Sequence, residues 1–360
     1  MSEPAMTGKE RVHAALRFRQ PDRTPRFIWL GGDVIRRLTA KYGLSPLELE
    51  IKLGNDILQA WVSVNGEMER DVPPETEFTD GFGITWKRNG PYNNVIRHPL
   101  SGMDARQIEA YPFPNPHNGE RYERLEFLIS GYGDRYFIGS DVSGVLFEPA
   151  CHLRGMEEFM LDLGENSEEA SLILDKLTEF CIAVSIESLW RGVDWIWMGD
   201  DLGSQQGMLM SPSMWRKHFK PRMKRIIDEV RAVRPGVPIA YHSCGSISPI
   251  IADLIEIGIN VLNPIQESAA NMDQAAIKRD FGDRLVLMCG LDTQTFMRTA
   301  EPEEIYAKTR EITKRLGKGG GYIFAVSHHI QGDIPDAAIE AMLRALPESP
   351  DREENPTWKY

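Results

Sequence analysis

A chain of 360 residues with 42% hydrophobic content can bury one barrel-sized core or two ordinary ones. Its 53 acidic against 41 basic residues leave a net charge of -12, which argues against nucleic acid or an anionic membrane as main partner, because both require a basic face. The N-terminal MSEPAMTGKERVHAALRFRQ has no uninterrupted apolar stretch and no later segment supplies ~18 apolar residues in a row, so neither a secretory leader nor a membrane anchor is expected; the four cysteines, Cys151, Cys181, Cys244 and Cys289, are too few and scattered for a disulfide framework and fit a reducing cytoplasm.

Residues 7–18 open on Thr7 and carry Val12, Ala15, Leu16 and Phe18 at helical spacing, which predicts a capped helix ahead of the main fold. RFIWLGG (26–32), aromatic and β-branched and closed by two glycines, reads as a buried first strand, and a second is expected near Ile57. Residues 77–100 alternate and contain Asn89-Gly90, which predicts an inserted β-hairpin. The segment holding Pro112, Pro114 and Pro116 is an irregular linker.

From Arg135 onward six apolar runs, YFIGS, WIWMG, PIAY, INVL, RLVLM and YIFAVS, alternate with amphipathic helical stretches such as 302–316. Strands alternating with helices imply a parallel sheet, and eight of them imply closure. The expectation is an α/β fold: one (β/α)8 TIM barrel over residues 1–350, with an N-terminal helical extension and the hairpin, followed by a polar tail over 351–360. The glycine-rich 317–321 precedes the last strand and lacks P-loop spacing, so it reads as a turn.

In such barrels reactive groups sit at the C-terminal ends of the strands. The residues there are Asp141; Asp200 and Asp201; His242 and Cys244; Asn263 and Gln266; Cys289, Asp292 and Gln294; and His328, His329 and Gln331. Any one Asp or Asn commonly caps a helix. Histidine and cysteine are not favoured caps, so their concentration at strand ends points elsewhere. His242-Ser243-Cys244-Gly245 is the sharpest signal: residues two apart on a strand share a face, and an N,S pair suits zinc. A catalytic zinc needs a third protein ligand, for which His328 and Cys289 are candidates. Trp195, Trp197 and Trp215 read as core, and Met208 and Met210 as gap fillers.

GDDLGSQQGMLMSPSMWRKHFKP, HSCGSI, NVLNPIQ, GLDTQ and SHHIQGDIPDAAIEAML together resemble the uroporphyrinogen decarboxylase superfamily over about residues 8–346. Where true decarboxylases carry an arginine-rich MRQAGRY segment that clasps substrate carboxylates, this chain has WLGGDVIRR, and the expected tyrosine is not evident in SGVLFEPACHL. By position, Asp56 in GNDILQ resembles the aspartate that holds the pyrrole nitrogens, and His328 the functional histidine. On the corrinoid-dependent methyltransferase branch several members bind zinc through H-x-C plus a cysteine on the last strand; His242 and Cys244 match, and His328 stands at the third position.

The resemblance implies a methyltransferase that moves a methyl group between a small methylated substrate, such as a methyl ether, and a corrinoid carried by a partner protein, with zinc as Lewis acid. Asp200, Asp292, Asp56 and His328 are then the expected catalytic residues. Asp141, Gln205, Asn263, Gln266, Gln294 and Gln331 are expected at the substrate, and His242, Cys244, Cys289 and His328 at the metal. The rival is a cofactor-free tetrapyrrole carboxy-lyase built on Asp56 and His328. The sequence leaves the methyl donor or acceptor unnamed and the oligomeric state open, a homodimer included.

Overall fold

Thr7 accepts a hydrogen bond from the Glu10 backbone N–H while the Glu10 carboxylate accepts one from Thr7, and this capping box starts the helix Gly8–Leu16. The computed structural model describes residues 5–63, 70, 72–90 and 92–347; the expected polar tail lies outside the described residues.

The main sheet is parallel throughout: β1 (Ile57–Trp61), β5 (Phe137–Asp141), β6 (Trp195–Gly199), β7 (Ile239–His242), β8 (Val261–Asn263), β9 (Val286–Cys289) and β10 (Tyr322–Phe324), paired in that order. Residues 26–30 close it. Phe27 N donates to Phe324 O (2.9 Å), and Asp56 N donates to Arg26 O (2.9 Å), so the segment touches both edge strands. Towards β1 the Asn55 side chain pairs with both the N–H and the carbonyl of Ile28 (2.7 and 3.0 Å), standing in for ladder bonds and leaving this eighth strand irregular. The fold is thus the expected TIM-type barrel. The insert is a three-stranded antiparallel sheet, β2 (Glu77–Thr79), β3 (Thr85–Asn89) and β4 (Tyr92–Arg97), so the hairpin expected over 77–100 has one strand more than the sequence suggested.

Because side chains alternate along a strand, one register decides what enters the barrel. Ile57, Phe137, Trp195, Trp197, Ala240, Val261, Val286, Met288, Ile323 and Ala325 form an inner cluster with Val12 and Ala15, so helix Gly8–Leu16 plugs the N-terminal end. The alternate residues, among them Leu58, Ile196, Tyr241, Leu262, Cys289 and Phe324, belong to the larger core beneath the outer helices. Trp195, Trp197 and Trp215 are buried as expected, and Met210 is core with Met208 packed on it. The helix Pro302–Gly317 takes in the first glycine of the glycine-rich 317–321, and the residues after it form the expected turn, in which Gly319, Gly320 and Gly321 take positive φ. No helix among the described residues is long and apolar enough to cross a membrane.

Candidate metal centre and its cavities

Above the inner cluster the inward positions turn polar. His242 stands two residues beyond inward Ala240, and in register it lies beside Gly199 of β6 and Asn263 of β8. A Cβ on Gly199 would sit 2.9 Å from the His242 Cβ, so glycine there makes room for the imidazole. Asn263 Oδ1 accepts from His242 Nδ1 (2.7 Å) while its amide nitrogen donates to Met288 O (2.9 Å). The second bond fixes which way the amide points, so Nδ1 carries the proton and Nε2 keeps its lone pair for the site.

The strand has ended at His242, and the Ser243–Gly245 turn brings Cys244 round: its Sγ is 3.4 Å from His242 Nε2. Three bonds hold that turn. Asp201 Oδ1 accepts from Cys244 N (2.8 Å), Gln266 Oε1 from Gly245 N (2.6 Å), and Ser243 Oγ from Leu202 N (3.1 Å). Gly245 has φ +77° and faces the Gly203 backbone so closely that a Cβ would lie 2.4 Å from it.

His328 completes the group. Ligand atoms of His242, Cys244 and His328 all lie within 4.8 Å of one another, and the three residues are half-buried. A tetrahedral zinc with bonds of ~2.0–2.3 Å needs ligands ~3.3–3.8 Å apart, so small side-chain adjustments suffice. His328 Nδ1 is buried without a hydrogen-bond partner among the described residues. Burial, then the neighbouring His242, pushes the His328 pKa down to about 4, which keeps its imidazole neutral and able to donate a lone pair. The Cys244 thiol is pushed well above its usual range by burial and by Asp201, so it holds its proton until a cation offsets that cost. The donor set N, S, N fits zinc.

Two cavities meet here. One, of about 640 Å³, is lined by Asp201, Gln205, Cys244, Gln266, Thr293, Gln294, His328, His329 and Gln331. The other, of about 300 Å³, has aromatic walls, Trp29, Trp61, Tyr92 and Trp197, around His242 and His328, with Glu148 and Asp201 at its edge. The Trp29 ring lies 5.8 Å from that of His328 at 27°, close to parallel. Tyr92, from the insert, hydrogen-bonds His329 Nε2 (3.1 Å).

The expected site residues sort accordingly. His242, Cys244 and His328 converge; Asn263 and Gln266 hold them; Gln205, Gln294 and Gln331 line the larger cavity, with Gln205 Nε2 bonded to Gln294 Oε1 (2.9 Å). Asp141, buried and raised to about 6 by that burial, accepts from Gln59 Nε2 (2.7 Å) and Ser143 N (2.9 Å). Asp200 is buried at the start of helix Phe147–Arg154, accepting from Leu146 N (2.9 Å) and Glu148 N (3.0 Å), and so positions Glu148. Asp292 accepts from Thr295 N and Phe296 N (2.8 and 3.0 Å) and so holds the turn that leads into the short helix Phe296–Thr299.

Two expectations are corrected. Cys289 is not in the metal group: it has the parity of outward Leu287, so its side chain is sealed under the helices and cannot reach the barrel mouth. Asp56 immediately precedes β1, at the opposite end of the barrel from the triad, where Arg11 (2.7 Å) and Arg23 (2.7 Å) hold it and Arg26 N donates to it (2.9 Å). It is a buried ion-pair clamp beneath the core. GNDILQ carries the family resemblance, but here its aspartate lies just before the strand rather than after it.

Residues 82–349 match the family model of uroporphyrinogen decarboxylase (URO-D). The chain belongs to the uroporphyrinogen decarboxylase family. The uroporphyrinogen decarboxylase of Coxiella burnetii is 24% identical over 78% of this chain and 77% of its own length. A methylated-thiol–coenzyme M methyltransferase of Methanosarcina mazei is 22% identical over 57% of this chain and 51% of its own. Among solved structures, a methyltransferase from Methanosarcina mazei superposes with a TM-score of 0.70 at 20% identity, covering 94% of this chain and 98% of that one. Within this family fold, Trp29, Trp61, Tyr92 and Glu148 escaped the sequence reading. The parity of residues 27 and 29, and of 57, 59 and 61, signals Trp29 and Trp61, whereas nothing local signals Tyr92 or Glu148.

Proposed function

We propose that this family member is a zinc-dependent methyltransferase that moves a methyl group between a small methylated substrate and a corrinoid carried by a partner protein. The convergence of His242, Cys244 and His328 at the barrel mouth carries the reading. The names of two similar Methanosarcina mazei proteins, one of them acting on methylated thiols, support it.

Bound at these three residues, zinc would supply Lewis acidity, polarising the heteroatom of a methyl donor or favouring the thiolate of an acceptor. The chain's own groups prepare that chemistry. Asn263 holds the His242 tautomer, and Asp201, 3.6 Å from His242 Nε2, is placed to take a proton released at the site. Trp29, Trp61 and Trp197 keep water from one side of it. Gln205, Gln294 and Gln331 offer amides to the polar part of a substrate in the larger cavity, whose mouth is where a corrinoid protein would dock.

The decarboxylase reading has family membership behind it but loses Asp56, which sits in a structural clamp. Metal analysis decides the central claim. Carefully prepared protein is expected to hold one zinc, retained in Cys289→Ser and lost in His242→Ala. A metal-free wild type, or formation of coproporphyrinogen from uroporphyrinogen, overturns the proposal.

A further inference from the structure

A third cavity, of about 450 Å³, shares Tyr92 and His329 with the aromatic cavity, and His329, Gln331 and Asp333 with the larger one. Three arginines line it: Arg36, Arg37 and Arg88. Arg37 is committed, donating to the carbonyls of Gly332 and Ile334 (3.1 Å each) and pairing with Asp336 (2.9 Å). The carboxylates of the wall are engaged as well: Asp333 pairs with Arg298 (3.0 Å), and Asp33 accepts from Val34 N (2.8 Å).

Arg88 is different. It comes from β3 of the insert and is only 9% exposed, and among the described residues its guanidinium has neither a hydrogen bond nor an ion pair. A guanidinium set in a cavity wall, only slightly exposed and without a protein acceptor among the described residues, is poorly compensated, so a site built this way is completed by an anion. A second feature points the same way. Helix Gly32–Tyr42 starts on this wall, and its Gly31 end has no side-chain cap; Asp33 takes the Val34 N–H, which leaves the Gly32 and Asp33 N–H groups for the cavity.

We infer that this cavity is an oxyanion subsite. Arg88 and the first turn of helix Gly32–Tyr42 take the carboxylate, sulfonate or phosphate end of a small molecule whose other end reaches His242, Cys244 and His328. Only the location of that other end rests on the proposed function; anion capture by Arg88 stands on its own. Planar guanidinium geometry favours a two-point contact with two oxygens, which lysine cannot supply.

The test is calorimetric titration of the full chain with acetate, methanesulfonate and phosphate, with zinc content measured on the same samples. Saturable binding of at least one anion is expected, and the tightest names the class. Arg88→Gln should weaken it at least tenfold. Gly32→Pro removes one N–H donor at a position where proline suits a helix start and follows the extended Gly31 (φ -69°, ψ 155°), so it should weaken binding several-fold with the fold intact. Zinc-loaded protein that binds none of the three, or wild-type affinity in both variants, overturns the subsite. Zinc-free protein whose anion binding still depends on Arg88 upholds it and overturns only the metal reading.

Discussion

Replacing Asn263 by alanine tests the centre without touching a proposed ligand. Two hydrogen bonds disappear, the 2.7 Å bond to His242 Nδ1 and the 2.9 Å bond to Met288 O. Leaving buried partners unsatisfied costs folding stability about 1–3 kcal/mol, and most of that loss is common to the metal-free and metal-bound protein. What differs between those states is the His242 bond. A cation on Nε2 withdraws electron density and makes Nδ1–H a stronger donor, so the Asn263 acceptor matters more when metal is present. Loss of such a supporting partner lowers metal affinity by about 10- to 100-fold, equivalent to about 1.4–2.8 kcal/mol. Competition between the protein and a chromophoric zinc chelator at fixed pH measures this directly, with circular dichroism to verify folding. Asn263→Asp keeps an acceptor and should hold zinc at least as tightly as the wild type. Wild-type zinc affinity in folded Asn263→Ala would refute the idea that Asn263 orients His242 for a cation.

Two further outcomes follow from the same structure. Asp56→Asn strips the counter-charge from buried Arg11 and Arg23 and should cost about 3 kcal/mol of stability, read as a lower urea midpoint at constant m-value, with turnover per folded molecule unchanged; reduced turnover in a fully folded variant would return Asp56 to the reactive machinery. Burial raises the Glu50 pKa from 4.5 to about 7, so the folded state binds the extra proton between those values. Stability is therefore full below pH 4.5 and falls as pH rises towards 7, by up to about 3 kcal/mol. Glu50→Gln should match the wild type at low pH and exceed it at pH 8 in denaturation curves, and an unchanged pH slope would contradict the burial argument.

Much of the barrel was legible because its signals are local. The Thr7 capping box, the Asn89-Gly90 turn and the apolar runs beginning at Arg135 each encode an element within a few residues, and their alternation with helices leaves a parallel closed sheet as the outcome. His242 and Cys244 were legible for the same reason, standing two apart where one strand ends. Other features depend on more than local order. The choice between His328 and Cys289 turned on strand parity: both follow apolar runs, yet Cys289 takes the outward position of Leu287. Asp56 was assigned through the resemblance of GNDILQ, and its place ahead of β1, with residues 26–30 closing between β10 and β1, puts it at the end of the barrel away from the triad.

By itself, then, the sequence determined the elements, their alternation and hence the closed barrel, and it nominated an imidazole and a thiol for one site. The tertiary structure decided which third group joins them, brought Trp29, Trp61 and Tyr92 around them from three separate segments, and left Arg88 facing a cavity with no acceptor among the described residues. The physical reason is range. Caps, turns and alternation are set by neighbours along the chain, whereas a metal site and a cavity wall are set by the register between strands far apart in it.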